Sequence, residues 1–191
     1  MTVCLACAPA VSAAATSGGA SSSTAAPAPT STPAPQPQGQ AGGASFNPAM
    51  LRPTVAGAVG VIRDGIAYAP ADAPIEVQRA IWAANRLRGK PYVYGGGHQS
   101  FRSRGYDCSG TVSYALHAAG LLESPLDSGS FMQWGERGRG AWITVYTNPG
   151  HAFVLIAGLR LDTSGLGERG PRWRPEIRST RGFTARHPTS F

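Results

Sequence analysis

Two segments of the chain carry apolar residues at helical spacing. The first follows Asp72-Ala73-Pro74, a candidate cap and first turn, and stops at Gly89. Its apolar positions are Val77, Ala80, Ile81, Ala84 and Leu87. The second begins at Cys108 and ends at Gly120. Its stripe consists of Val112, Ala115, Leu116 and Ala119. Both patterns predict amphipathic helices with one buried face, and Cys108 lies at the N-terminal end of the second stripe.

The later part of the chain has the pattern of strands. Residues 142–146 and 152–156 are rich in β-branched and apolar side chains, with the turn signal Asn-Pro-Gly at residues 148–150 between them. Residues 159–163 alternate apolar and polar positions, and residues 91–94 predict a short extended piece. Helices followed by consecutive antiparallel strands predict an α+β fold, with the helices packed on one face of a mainly antiparallel sheet.

Composition divides the chain into three parts. Residues 1–51 contain no Asp, Glu, Lys or Arg, and eight of the sixteen prolines fall before residue 54. Residues 1–15 are typical of the end of a secretory signal but lack a basic start, so we expect a truncated signal-like segment. Residues 16–50 predict a disordered Ala/Pro/Ser/Thr/Gln-rich linker. Residues 51–191 are long enough for one domain with a core, and the signal-like segment predicts a secreted protein.

The positive charge comes almost entirely from arginine. The formal net charge is +7, and Lys90 is the one basic residue of the 17 that is not Arg. Residues 160–191 hold seven Arg against three acids. Two interpretations of this Arg-rich C-terminal tail stay open: it recognises an anionic polymer, or it is a solvated basic surface. No basic helix or zinc-ligand spacing indicates nucleic acid. No apolar run approaches the roughly 18 residues of a membrane span.

Cys108 and His151 are the residues that point to chemistry. Removal of the signal-like segment would take Cys4 and Cys7 with it and leave Cys108 as the mature chain's thiol. A cysteine at a helix N-terminus is stabilised as thiolate, and the free N–H groups of the first turn can bind an oxyanion. His151, just before a strand, is the candidate base. The alternatives are an inert buried cysteine and a histidine bonded to backbone.

Asp162 is the candidate for the group that orients His151. If residues 157–158 form a two-residue hairpin loop, or residues 156–159 a four-residue loop, the numbers of paired residues sum to 315. His151 and Asp162 then project from the same face as diagonal neighbours, where a carboxylate can accept the imidazole N–H. A three-residue loop would put them on opposite faces. The alternative for Asp162 is a solvated carboxylate paired with Arg160 or another arginine.

Three short motifs follow one another along the chain. They are Pro-Tyr-Val-Tyr-Gly-Gly at residues 91–96, Asp-Cys-Ser-Gly at residues 107–110, and Gly150-His151 before a hydrophobic strand. In this order they resemble the NlpC/P60 family of cell-wall cysteine peptidases, and the match covers roughly residues 74–163. The resemblance implies a papain-like α+β fold. It also implies an enzyme that cuts the peptide stems of bacterial peptidoglycan, commonly between D-glutamate and a diamino acid.

The same resemblance implies a role for each matching residue. It makes Cys108 the nucleophile, His151 the base, Asp162 the orienting residue, Tyr92 the hydroxyl that helps hold the oxyanion, and Asp107 and Ser109 contacts to the substrate stem. Two positions depart from the family pattern. The orienting residue of the family is usually His, Asn or Gln rather than Asp, and Tyr94 stands where Trp is common. Asp is chemically competent to accept the imidazole N–H.

These observations together predict a cysteine endopeptidase that hydrolyses peptidoglycan stems through a thiol acyl-enzyme. The alternatives are a non-catalytic cell-wall-binding module, and an amidase or acyltransferase on the same fold. We expect no cofactor and no metal, since no His/Cys cluster has ligand spacing. We expect peptidoglycan as the partner and no nucleic acid. The scissile bond and the oligomeric state stay open. His98, after three glycines, is either a loop residue or part of the cleft lining, and of these two we favour the loop residue.

Overall fold

The computed structural model describes residues 51–165, 170–175 and 178–190. The signal-like segment 1–15 and the linker 16–50 lie outside the described residues. The helices are α1 (Ile75–Asn85), α2 (Cys108–Ala118) and α3 (Ser128–Phe131). The strands are β1 (Thr54–Val55), β2 (Val61–Arg63), β3 (Ile66–Pro70), β4 (Glu136–Arg137), β5 (Ile143–Asn148), β6 (His151–Ile156), β7 (Leu159–Asp162), β8 (Arg172–Arg174) and β9 (Thr184–His187). None of the described helices is long and apolar enough to cross a bilayer.

The strands form a large and a small sheet. The large sheet has the order β4-β9-β5-β6-β7-β8, and its described pairings are antiparallel. The small sheet precedes α1 and has the order β1-β3-β2, with β1 parallel and β2 antiparallel to β3. The predicted α+β fold with a mainly antiparallel sheet is confirmed.

The apolar core lies between the helices and the large sheet. It contains Val77 and Ile81 of α1, Val112 and Leu116 of α2, Val145 of β5, Ala152, Val154 and Ile156 of β6, and Leu161 of β7. Full burial of such a side chain contributes roughly 1.5–3 kcal/mol for each large aliphatic residue. Along β6, Ala152, Val154 and Ile156 belong to this core, whereas His151 and Phe153 alternate with them and do not. The period of two therefore places His151 outside the helix-facing core.

α1 ends at Asn85, before Leu87, the last apolar position that the pattern places in the helix. Leu87 is buried, but it lies in the turn between Asn85 and Gly89 rather than in the helix. The buried Asn85 amide exchanges two hydrogen bonds of 2.9 Å with the backbone of Ala67 and accepts one of 2.8 Å from the Trp173 indole. These contacts tie the helix end to β3 and β8, and the chain leaves the helix where they form.

The start of α1 also differs from the prediction. Asp72 is not the cap: the N-cap position belongs to Pro74, and no side chain caps the helix there. Glu76 lies in the first turn as predicted. The negative side chain of Glu76 is favourable at the positive end of the helix dipole.

Two tight hairpins place the strands that carry the candidate residues. Residues 149–150 connect β5 to β6, and residues 157–158 connect β6 to β7. Ala157 and Gly158 have φ values of 49° and 83°, as a primed two-residue turn requires. Val154 pairs with Leu161, so the predicted sum of 315 is confirmed.

Three strands of the Arg-rich tail, β7, β8 and β9, belong to the large sheet. β8 pairs with β7, and β9 pairs with both β4 and β5. Arg160, Arg174 and Arg186 are buried, so a solvated basic surface is wrong for these three arginines. The Arg186 guanidinium, for example, donates to the carbonyl oxygen of Met132.

Candidate active site

Asp107 fixes the start of α2. Its backbone is extended, and its carboxylate accepts hydrogen bonds from the Gly110 N–H at 2.8 Å and the Gly95 N–H at 3.0 Å. A carboxylate at this position satisfies a first-turn donor and complements the helix dipole. Gly96 lies so close to the helix that a Cβ on Gly110 would overlap its carbonyl oxygen. The cap and the glycine contact hold the Tyr-Gly-Gly loop against the first turn, where Cys108 is the first helical residue.

Cys108 is a free thiol in the wall of a cleft of about 490 Å³. Its sulfur accepts a hydrogen bond from the Ala152 N–H and is hydrogen-bonded to the imidazole of His151. Burial raises the pKa of the Cys108 thiol, but the two hydrogen bonds and the charge of His151 outweigh it, so the pKa is lowered from its ordinary value. The site therefore favours the thiolate.

His151 lies between the thiol and a carboxylate. Its backbone N–H donates to the Asn148 side chain at 2.9 Å and closes the turn that enters β6. Its Nε2 lies 3.0 Å from Oδ1 of Asp162, which leaves Nδ1 for Cys108. Burial lowers the pKa of His151, but hydrogen bonds with Asp162 and Cys108 and their negative charges raise it to about 9. At neutral pH His151 is therefore an imidazolium, and its positive charge favours the thiolate form of Cys108.

Asp162 is buried, with 1% of its surface exposed. Its Oδ1 accepts from His151, from the Ser164 N–H at 2.9 Å and from the Ser164 hydroxyl at 3.0 Å. Its Oδ2 accepts from Arg178 at 3.0 Å and lies 3.5 Å from Nε of Arg160. Burial raises the pKa of Asp162, but the hydrogen bonds from His151 and Ser164 lower it to about 2. The solvated carboxylate is therefore wrong, although the pairing with arginine is real.

The cleft also receives the other residues that the motifs single out. Tyr92, Asp107 and Ser109 line it together with Cys108. Tyr92 is partly exposed, and Tyr94, at the position where Trp is common in the family, is almost fully exposed. Among the described residues, no three His, Cys, Asp or Glu side chains meet in a way that could hold a metal ion.

His98 belongs to the cleft rather than to an uninvolved loop. Its Nε2 lies 3.0 Å from Oδ1 and 2.9 Å from Oδ2 of Asp107, and 3.0 Å from the Ser109 hydroxyl. Asp107 and Ser109 are only 4% and 2% exposed, whereas the His98 side chain is 32% exposed. The imidazole therefore stands between these two residues and the cleft. Its position just after the Tyr-Gly-Gly motif is the signal that could have identified it.

Three further side chains contact the His151 and Asp162 pair, and no sequence motif indicates them. Ser164 bonds Asp162 and lies 3.4 Å from Nε2 of His151. Arg178 bonds both Asp162 and Ser164. Phe183 meets the His151 ring edge to face, with ring centroids 6.2 Å apart. All three follow β7 in the chain. Ser164 is close to Asp162 in sequence, whereas Arg178 and Phe183 reach the site only through the fold.

Comparison with known proteins gives structural matches alone. No family model matches the chain, and no curated protein matches it. Solved structures similar to it include the peptidoglycan hydrolase RipB of Mycobacterium tuberculosis, with 22% identity over 59% of this chain and a TM-score of 0.47. An NlpC/P60 family protein of Bacillus cereus has 18% identity over 58% of this chain and a TM-score of 0.46.

A P60 domain of Mycobacterium avium subspecies paratuberculosis is a further structural match. It has 22% identity over 59% of this chain and a TM-score of 0.43. The matches cover 64% of the RipB chain, 39% of the Bacillus cereus chain and 94% of the P60 domain. The chain thus spans less than two thirds of the length of the RipB chain.

Proposed function

We propose that this protein is a cysteine endopeptidase of the NlpC/P60 type that hydrolyses the peptide stems of bacterial peptidoglycan. The observation that carries the proposal is the hydrogen-bonded series of Cys108, His151 and Asp162, in which Cys108 lies in the wall of an open cleft. A lowered thiol pKa beside a raised imidazole pKa is the electrostatic state that a thiol nucleophile requires.

Acylation begins with attack of the Cys108 thiolate on the carbonyl carbon of a stem peptide bond. The electron pair of the carbonyl moves onto oxygen, and the tetrahedral intermediate collapses with loss of the amine. His151, as imidazolium, gives its proton to that leaving amine. The products of this half-reaction are a thioester on Cys108, a free amine and a neutral imidazole held by Asp162.

The oxyanion needs donors that the helix cap does not already use. Asp107 accepts from the Gly110 N–H, so that group is taken. The donors we assign are the N–H of Cys108, at the positive end of α2, and the hydroxyl of Tyr92 in the cleft wall. The role of Tyr92 rests on its place in the Tyr-Gly-Gly motif and on its presence beside Cys108.

Deacylation reverses the proton transfers. Neutral His151 takes a proton from water, the hydroxide adds to the thioester carbon, and the Cys108 thiolate leaves. Asp162 keeps one ring nitrogen of His151 bonded throughout, so the other stays directed at the thiol. In this cycle one water is consumed, and the proton transfers pass through His151.

The substrate assignment rests on the motif resemblance, which favours cleavage between D-glutamate and a diamino acid. The net charge of +7 suits an anionic wall polymer. The signal-like segment 1–15 and the linker 16–50 support a secreted protein of the cell envelope. In the cleft, we assign the exposed face of His98 to the stem, with Asp107 and Ser109 acting through it.

Digestion of purified peptidoglycan, followed by mass analysis of the released fragments, tests the proposal. We expect wild type to release stem fragments with a new amine, while Cys108→Ala and Cys108→Ser release none and keep the thermal unfolding of wild type. Exposed Arg181→Gln is the matched control and should keep full activity. Binding of wild type to the wall without cleavage would identify a binding module. Fragments cut at the sugar–peptide amide, or transferred to another amine, would identify an amidase or acyltransferase.

A further inference from the structure

Arg178 contacts the carboxylate of Asp162, which is hydrogen-bonded to the imidazole of His151. Its Nη1 donates to Oδ2 of Asp162 at 3.0 Å and to the hydroxyl of Ser164 at 2.6 Å. Ser164 in turn donates to Oδ1 of the same carboxylate. Arg178 therefore binds Oδ2 of Asp162 directly and is linked to Oδ1 through the Ser164 hydroxyl. Oδ1 also accepts from His151.

The guanidinium is itself fixed by aromatic rings. Its Cζ lies 5.2 Å from the centroid of the Phe153 ring and 5.3 Å from that of Phe183. The two rings meet edge to face at 5.2 Å, and Phe183 also touches His151. A planar cation held on aromatic faces is attracted by the rings and loses little freedom when it bonds a carboxylate.

We propose that Arg178 is a positioning residue for the active site: it holds Asp162 in the orientation, and in the electrostatic field, that His151 requires. This inference rests on the proposed function. The structure thereby assigns a task to the Arg-rich tail, since an arginine that follows β8 completes a site built on α2, β6 and β7. The motifs at residues 91–96, 107–110 and 150–151 do not include it.

The charges around the site determine the sign of the expected effect. Asp162 faces His151, Arg160 and Arg178, and it pairs across the sheet with Arg172. Cys108 faces His151 and feels Asp107 from the helix cap. Removal of the Arg178 charge makes the site less positive, which raises the proton affinity of both the thiolate and the imidazole. In a profile of rate against pH, the acidic limb reports the Cys108 thiol and the basic limb reports the His151 imidazolium. Both limbs should therefore move to higher pH.

Arg178→Gln is the direct test, with two readouts across pH: hydrolysis of wall peptides, and alkylation of Cys108 by iodoacetamide. We expect kcat to fall roughly 10-fold because Asp162 is less well held. We expect both limbs to rise by about half a pH unit, a modest shift because Arg178 is one third exposed and screened. Arg181→Gln removes the same charge from an exposed side chain of the same segment and should match wild type in both readouts.

Arg178→Lys separates charge from shape. It keeps the charge, so the limbs should stay at their wild-type pH. It lacks the planar group that packs on Phe153 and Phe183, so kcat should fall between wild type and Arg178→Gln. If Arg178→Gln unfolds at the assay temperature, Arg178→Lys is the test. A kcat of Arg178→Lys equal to that of Arg181→Gln would overturn the proposal.

Two outcomes distinguish this inference from the function beneath it. Suppose first that wild type cuts wall peptides. If Arg178→Gln then keeps the wild-type rate, or loses rate equally at every pH without a shift of the limbs, the inference about Arg178 fails and the proposed function stands. If wild type cuts no wall peptide while the alkylation limb still moves in Arg178→Gln, the peptidase fails and the positioning role stands.

Discussion

Asp162 makes more hydrogen bonds than an orienting residue needs. Both carboxylate oxygens accept: Oδ1 from His151 and Ser164, Oδ2 from Arg178. The NlpC/P60 family, which the motifs of this chain resemble, usually has His, Asn or Gln at this position, and none of these offers two anionic acceptors. The departure at Asp162 and the presence of Arg178 therefore belong together, because a buried carboxylate with two acceptor oxygens is stabilised by a cation on its far side.

Asp162→Asn tests this pairing. An amide has one acceptor oxygen, so its NH₂ group would face either His151 or Arg178, and a donor would then meet a donor. We expect kcat/KM to fall roughly 100-fold or more, with a loss of about 1–3 kcal/mol in the free energy of unfolding.

Asp64→Asn is the matched control, since Asp64 is exposed at a turn with a φ of 51° that Asn adopts readily. It should match wild type in kcat/KM and in unfolding by denaturant. Equal values for Asp162→Asn and Asp64→Asn would mean that His151 needs no carboxylate.

At the scale of elements, the site depends on contact between the glycine loop and the first turn of α2. Gly96 and Gly97 approach Gly110 at backbone distance, and Gly95 bonds the Asp107 cap. This contact allows a loop with Tyr92 and His98 to line the same cleft as Cys108. It also explains why the Asp-Cys-Ser-Gly motif needs its last residue, which is a packing requirement.

Gly110→Ala should separate the loop from the helix. Its Cβ would overlap the carbonyl oxygen of Gly96, and backbone cannot yield as a flexible side chain does. We expect a loss of about 1–3 kcal/mol in the free energy of unfolding, measured with urea. Gly150→Ala has ordinary contacts and no positive φ, so it should stay within about 0.5 kcal/mol of wild type. A Gly110→Ala variant as stable as Gly150→Ala would contradict the packing argument.

At the scale of the whole molecule, the thiolate and imidazolium determine how stability varies with pH. The folded pKa of His151, about 9, lies above its ordinary 6.5, so its contribution is full below 6.5 and is lost as pH rises through 9. The folded pKa of Cys108 lies below its ordinary 9.0, so its contribution is present above 9.0 and is lost as pH falls. Where the two ranges overlap, the two proton differences have opposite sign, so the contributions of His151 and Cys108 partly offset each other.

The resulting prediction compares wild type with Cys108→Ser. Wild-type stability should depend less steeply on pH between 6.5 and 9 than that of Cys108→Ser, because the thiolate of Cys108 offsets part of the His151 loss. In Cys108→Ser the hydroxyl does not titrate, while Asp162 still holds the imidazolium, so stability should fall as pH rises above 6.5. Urea unfolding at several pH values measures both curves. Parallel curves for the two proteins would show that Cys108 is not a thiolate in the folded state.

The sequence determined those features that depend on neighbours along the chain. Periodicity of 3.6 and the residues before it placed Cys108 at the start of α2, and a two-residue turn at residues 157–158 set the register that aligns His151 with Asp162. These are local rules, in which a side chain's direction follows from the backbone a few residues away. The α+β fold followed from the order of the same elements.

Only the tertiary structure decided which distant groups meet. It ended α1 at Asn85 through bonds to Ala67 and Trp173, and it placed His98 on Asp107 and Ser109. It brought Arg178 back to Asp162 and buried three arginines of the apparent tail in the sheet. No periodicity or turn rule encodes such contacts, because each joins groups from separate elements. Those of Trp173 and of the tail arginines depend on how β8 and β9 join the sheet on opposite sides of β6 and β7. A buried charge is stable only where that assembly supplies its partner.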